Sequence, residues 1–251
     1  MQVFRTLVRR ELGGYFFAFT GYIIIAGVLL LLGFSFVDIV GKLNNDATDA
    51  PVTEVFYASM YFWIILLLSA PVMTMRSFAQ ERALGTYETL MTSPVSDWQV
   101  VLSKFTGALL FYLITWAPLI GYVALLNHFT GQEKIALLPW TLATTYLGIF
   151  LIGCLFISMG VFASSLTRSQ IVAAIISYAI GLALFILSLR PGVQVADNDW
   201  LAQLLAHTSM TEHMAEFARG VIDTRYLVYY ASLTTLFLFL THKVVESRRW
   251  K

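Results

Sequence analysis

Residues 16–37 read FFAFTGYIIIAGVLLLLGFSFV, an apolar run with no charged side chain between Glu11 and Asp38. A helix needs roughly 20 such residues to cross the ~30 Å hydrocarbon core of a bilayer. Working outward, the same reading recurs near residues 56–75, 101–126, 137–163, 171–189 and 226–242. Six such blocks leave little chain for a soluble domain. Composition agrees: 58% of the 251 residues are hydrophobic and 12% are charged, about half the charge of a soluble domain. The expected fold is all-α and integral to the membrane, with one transmembrane domain over residues 1–251. Arg5, Arg9 and Arg10 before the first run imitate a signal peptide. The run is longer than a signal h-region of ~7–15 residues, and no small-residue cleavage site follows it, so it reads as a retained first helix.

Basic residues set the orientation. With the N-terminus inside, eleven of the sixteen Lys and Arg lie on the inner side, from Arg5, Arg9 and Arg10 through Arg76, Arg82, Lys104 and Arg168 to the C-terminal cluster. Ten of the fifteen acids fall outside, including Asp46, Glu54 and Asp197. The positive-inside rule therefore puts both termini of a six-span chain in the cytoplasm.

Three segments between the spans carry pattern. In residues 1–15, Val3, Phe4, Leu7, Val8 and Leu12 alternate with Arg5, Arg9 and Arg10, which reads either as an amphipathic interfacial helix or as a plain basic flank. In the inner loop 76–100, Glu81 to Met91 suits a short helix closed by the turn signal Ser93-Pro94, with Glu81, Arg82 and Glu88 on exposed faces. The outer segment 190–225 holds two stretches too short to span. One carries Trp200, Leu201, Leu204 and Leu205; the other carries Met214, Phe217, Val221 and Ile222, with Thr208, Ser209 and Thr211 as candidate caps. Both read as interfacial or re-entrant helices. Pro71 and Pro118 lie within spans, where they are expected to bend or loosen the helix.

Catalytic chemistry is not signalled. The sequence has no Walker A, HExxH, CxxC or GxSxG pattern, and Cys154 is the single cysteine, read as a helix-packing residue. Within 56–75, 105–126, 137–163, 171–189 and 226–241 there is no Asp, Glu, Lys, Arg or His, which argues against ion-coupled transport. His207, Met210, His213 and Met214 have the spacing and softness of copper ligands. The same residues are ordinary at a membrane interface, and no metal site is assigned to them.

The inner loop Glu81-Arg82-Ala83-Leu84-Gly85-Thr86-Tyr87-Glu88-Thr89-Leu90, followed by Ser93-Pro94-Val95, resembles the first cytoplasmic loop of ABC-2 type permeases, the membrane subunits of ATP-driven exporters. The outer stretch Glu216-Phe217-Ala218-Arg219-Gly220-Val221-Ile222-Asp223-Thr224-Arg225 is similar to the gliding-motility and nitrous-oxide-reductase-maturation branch of that family. Arg10-Glu11-Leu12 with Tyr15-Phe16 resembles its interface helix. The resemblance implies a coupling helix at 81–90 seated on a separate ATPase, with Glu81, Arg82, Gly85, Thr86, Glu88, Leu90 and Pro94 as coupling residues. It implies an outer re-entrant motif of Phe217, Arg219, Gly220, Asp223 and Arg225. It also implies placement in the bacterial cytoplasmic membrane and a second permease copy or related membrane subunit. ATP and Mg would be bound by the ATPase, with no cofactor in this chain and no nucleic acid as partner.

The expected function is thus a permease subunit that turns a partner's ATP hydrolysis into export or into work on an outer protein. An ATP-independent carrier or channel, or a non-transporting scaffold, is the alternative. Phe62, Trp63, Phe111, Tyr112 and Trp116 are expected to line a pathway suited to a lipidic, aromatic or polypeptide cargo.

Overall fold

The computed structural model describes residues 2–45, 52–87, 95–130, 139–189 and 208–249. Among these, every regular element is a helix: α1 (Gln2–Phe16), α2 (Phe19–Asn45), α3 (Val52–Ala58), α4 (Met60–Thr74), α5 (Ala79–Ala83), α6 (Asp97–Trp116), α7 (Pro118–Thr130), α8 (Pro139–Leu166), α9 (Gln170–Ser188), α10 (Met210–Ala218) and α11 (Thr224–Arg249). In hydrocarbon only a helix pairs all of its backbone groups internally, which is why long apolar runs take this form. Among the described residues, six stretches are long and apolar enough to cross a membrane: Phe19–Lys42, Met60–Ala83, Asp97–Leu126, Trp140–Leu166, Gln170–Ser188 and Thr224–Ser247.

Local chemistry sets the ends. Ser96 and Gln99 form a reciprocal capping box that starts α6, while Ser169 and Ser209 cap α9 and α10 through the N–H groups of Val172 and Glu212. The first span begins at Phe19 rather than 16, because the chain bends at Phe17-Ala18. A Cβ at Gly21 would lie 2.0 Å from the Tyr15 carbonyl oxygen, so only glycine permits that bend. Pro118 interrupts its span as expected: α6 stops at Trp116, and α7 restarts at the proline. Pro71 does not interrupt α4, which runs on to Thr74.

The centre of the bundle is α8. It carries no charge and is apolar all round, the pattern of a helix buried on every side, and α4, α6, α9, α10 and α11 all pack on it. Small residues allow the close approach. A Cβ on Gly153 would strike the Tyr112 ring at 2.3 Å, and one on Gly160 would reach Thr74 Oγ1 at 1.9 Å. The outward helices α2, α9 and α11 expose apolar side chains along their length.

Two expectations are corrected. Phe62, Trp63, Phe111, Tyr112 and Trp116, expected to line a pathway between protomers, do not face outward: they are buried in the core of the described residues. Phe62 and Trp116 have ring centroids 5.4 Å apart, and Tyr112 and Trp116 5.9 Å. Rings of this size fill the space between spans, and sequence composition cannot tell such filling from a lining. Nor is there one helix from Glu81 to Met91: α5 ends at Ala83, and Gly85 turns the chain at φ +73°. Residues 88–91 lie outside the described residues.

Candidate functional site

Where α4 ends, residues 75–78 turn the chain across the C-terminal end of α8. Ser164 on α8 holds that turn. Its hydroxyl oxygen accepts from the backbone N–H of Phe78 at 3.0 Å and of Ala79 at 3.1 Å, and it donates to the Met75 carbonyl at 3.1 Å. The next residue of α8, Ser165, offers its carbonyl to Arg82 Nη1. A carbonyl near a helix C-terminus has no intrahelical donor and carries partial negative charge, so a guanidinium suits it. Arg82 is only 8% exposed, and its guanidinium carbon stands 4.9 Å from the centre of the Tyr87 ring.

Beside it, Glu81 faces the other way into a cluster of four charges. Lys104 Nζ lies 2.8 Å from Glu81 Oε1 and 3.1 Å from Glu11 Oε1. Arg10 Nη2 is 3.3 Å from Glu81 Oε1 and 3.2 Å from Glu11 Oε1. Two cations and two carboxylates alternate, and their charges cancel. The Lys104 side chain is 1% exposed, in reach of the Phe78 ring at 5.2 Å. A buried ammonium is tolerated only when carboxylates surround it in this way. The approach of α1 to α6 depends on Gly107, where a Cβ would come within 2.8 Å of Glu11 Cβ. Tyr15 reinforces the joint by stacking on Phe111 at 4.6 Å and donating to the Met73 carbonyl at 2.9 Å.

The loop that carries the motif is thus tied to α1, α6 and α8 together. Glu81 and Arg82, expected on exposed faces, turn inward because each finds an opposite charge or an end-of-helix carbonyl there. Gly85 and Thr86 are exposed, and the Thr86 hydroxyl donates to the Glu81 carbonyl at 3.3 Å. Glu88, Leu90 and Pro94 lie outside the described residues. Sequence reasoning passed over Lys104 and Glu11 as members of this site, and Ser164 and Ser165 entirely. The available signal was Lys104 itself, a lone charge inside the first turns of a span.

The outer motif gathers at the opposite end of α8. From Thr144 to Ser164 is 20 residues, roughly 30 Å of helix. Thr144 Oγ1 donates to the Phe217 carbonyl at 2.7 Å, and Trp140 Nε1 donates to the Gly220 carbonyl at 2.8 Å. Gly220, at φ +87°, ends α10 in a Schellman turn, with Val221 N–H on the Glu216 carbonyl and Gly220 N–H on the Phe217 carbonyl. Arg219 grips Glu54 of α3 with two guanidinium nitrogens, Nε at 2.9 Å. That carboxylate raises the arginine's pKa further above its ordinary value. Asp223 Oδ1 accepts from the Arg225 N–H at 2.8 Å and so starts α11; Arg225 is exposed. The motif therefore joins α3, α8, α10 and α11.

Met210, His213 and Met214 are buried in this corner. The His213 ring stacks on Tyr226 at 3.9 Å, so the three side chains pack against neighbours. His207 lies outside the described residues. Among the described residues no group of three or more His, Cys, Asp and Glu converges as a metal site.

A family model described as ABC-2 family transporter protein matches residues 42–207. That span takes in the inner loop, Lys104 and the Ser164–Ser165 anchor, but neither α1 nor the outer motif. No curated protein matches the chain. With a six-span helical bundle and two thirds of its length covered by that model, this chain belongs to the ABC-2 transporter family, as one of its multi-pass membrane components.

Proposed function

We propose that the chain is the permease subunit of an ATP-driven exporter, and that its inner loop receives the stroke of a separate ATPase. The observation that carries this reading is the double tie of the loop to α8: Arg82 on the Ser165 carbonyl, and the Phe78 and Ala79 N–H groups on Ser164. A push on a free loop would be absorbed by bending. A push on this one reaches the central helix directly, and through Glu81, Lys104 and Glu11 it reaches α6 and α1.

In this proposal the loop lies in the cytoplasm with both termini, and α1 lies along the inner face of the bacterial cytoplasmic membrane. ATP and Mg belong to the partner, and the chain supplies no catalytic residue. Gly85 is the turn about which residues 86–94, with Thr86, Glu88, Leu90 and Pro94, meet the ATPase. A second permease copy, or a related membrane subunit, completes the pathway between protomers. Membrane lipid surrounds the assembly, and nucleic acid has no part in it. Kinship to the gliding-motility and nitrous-oxide-reductase-maturation branch rests on residues 216–230 alone.

The test is purification of the tagged chain from membranes. A soluble subunit with a Walker A motif should come with it, and the complex should hydrolyse ATP faster than that subunit alone. Arg82→Met and the milder Ser164→Ala should leave the complex assembled and bring hydrolysis towards the isolated ATPase rate. Glu88→Lys should do the same from the contact side. Purification without any ATPase, or full stimulation in all three variants, refutes the coupling role.

A further inference from the structure

A cavity of about 270 Å³ opens between α1, α2, α4, α5 and α6. One water needs only ~10–15 Å³ of such space, so the cavity suits a larger guest. Thr20 and Ile24 belong to the first turns of α2, while Val72 and Arg76 lie where α4 gives out. The cavity therefore stands where two spans end, at the level where hydrocarbon meets water.

The charges around it do not balance. Glu11 and Glu81 are both in the wall, but Lys104 and Arg10 each touch both of them, so two carboxylates are answered by two cations. Arg76, the remaining charge in the wall, stands outside that set. Among the described residues no carboxylate comes within 4.0 Å of it, and its side chain makes one hydrogen bond, from Nη1 to the Thr20 hydroxyl at 2.5 Å. With Arg10 counted, the cavity is therefore surrounded by one net positive charge. Other features point the same way. Thr20, Ser77 and Gln80 bring hydroxyl and amide donors to the wall. The first turn of α2 begins at Phe19, beside Ala18 and Thr20 of the wall, so the positive end of its dipole adds to the guanidinium. A guanidinium with hydroxyl donors is a phosphate-recognising set, and basic pockets between spans where membrane meets water take anionic headgroups. Ile24 and Val72 give the guest's apolar part a route towards the bilayer.

We propose that this cavity binds a phosphodiester of one net negative charge, the headgroup of an anionic phospholipid, with its phosphate at Arg76 and Thr20. An ethanolamine or choline headgroup carries its own cation, is neutral overall, and leaves the positive charge at Arg76 unanswered. The inference rests on the chain's membrane placement and not on the ATP-coupled reading, so the two can fail separately.

The test is native mass spectrometry of the whole chain in detergent. It is offered equal amounts of phosphatidylglycerol, phosphatidylethanolamine and phosphatidylcholine of one acyl composition. One phosphatidylglycerol per chain should be retained at least tenfold over the other two lipids. Arg76→Gln should abolish that preference. Arg76→Lys, which keeps the charge but loses the planar fork, should keep the preference with retention lowered severalfold, and Thr20→Val should lower it by a similar factor. Arg5 and Arg9 are exposed on α1, so the double variant Arg5→Gln, Arg9→Gln should leave the retained lipid in place. Equal retention of all three lipids by the parent chain, or an unchanged preference in Arg76→Gln, overturns the site. Loss of the preference in the α1 double variant overturns it in favour of binding on the surface of that helix. Displacement of the lipid by an equal concentration of glycerol phosphate overturns the lipid assignment in favour of a soluble phosphate ester.

Discussion

Replacing Lys104 by methionine removes the buried cation on which α1, α5 and α6 converge. Methionine keeps the volume of the aliphatic stem, so the change is one of charge. Glu81 Oε1 and Glu11 Oε1 are then left facing each other, no farther apart than their two distances to Nζ, 2.8 and 3.1 Å, allow in sum. At about 5–6 Å and an effective dielectric of ~20, their repulsion is about 3 kcal/mol. Arg10 still touches both carboxylates, but its side chain is half exposed, so it offsets only part of this. A net loss of about 2 kcal/mol is expected, below the ~3–5 kcal/mol for breaking a buried pair because Arg10 stays on both carboxylates. For a chain of this size that lowers the thermal midpoint by roughly 4–8 °C. Thermal unfolding of the detergent-solubilised protein measures it. Adding Glu11→Gln to Lys104→Met restores a one-to-one balance of Glu81 with Arg10 and should recover at least half of the loss. A midpoint within 1 °C of the parent in Lys104→Met, or no recovery in the double variant, refutes the view that these four charges hold the loop.

Gly160→Ala drives a Cβ to 1.9 Å from Thr74 Oγ1 and should cost about 1–3 kcal/mol by overpacking α8 against α4. Thr74→Ala should restore part of it, and an unchanged midpoint in the single variant contradicts the close contact. Gly220→Ala and Gly85→Ala both place a side chain at positive φ, a cost of about 1–2 kcal/mol each. Gly220→Ala should cost more, because Trp140 waits 3.2 Å from the new Cβ, whereas nothing lies within 4 Å at Gly85. Equal midpoints for the two variants count against the Schellman turn packed on Trp140. Adding one equivalent of Cu(I) should leave the midpoint where it is, since Met210, His213 and Met214 are engaged in packing. A rise of several degrees would make them ligands after all.

What the sequence determined by itself is whatever depends on runs and ends. Six apolar blocks of bilayer length, the absence of charge within five of them, the break at Pro118 and the Ser209 cap are local facts, legible without knowing what touches what. The loop motif Glu81–Leu90 was equally visible. Its faces were not: exposure of Glu81 and Arg82 follows from composition only if the helix stands alone. Here Arg82 meets the Ser165 carbonyl and Glu81 meets Lys104, partners 83 and 23 residues away. The aromatic set around Phe62 and Trp116 misled for the same reason, because an apolar ring reads alike whether it lines a passage or fills a core. Burial, pairing and the inward turn of the loop depend on the rotation and approach of α1, α6 and α8. Those are set by contacts such as Glu11 against Gly107, between residues 96 apart in the chain, and only tertiary structure brings such residues together.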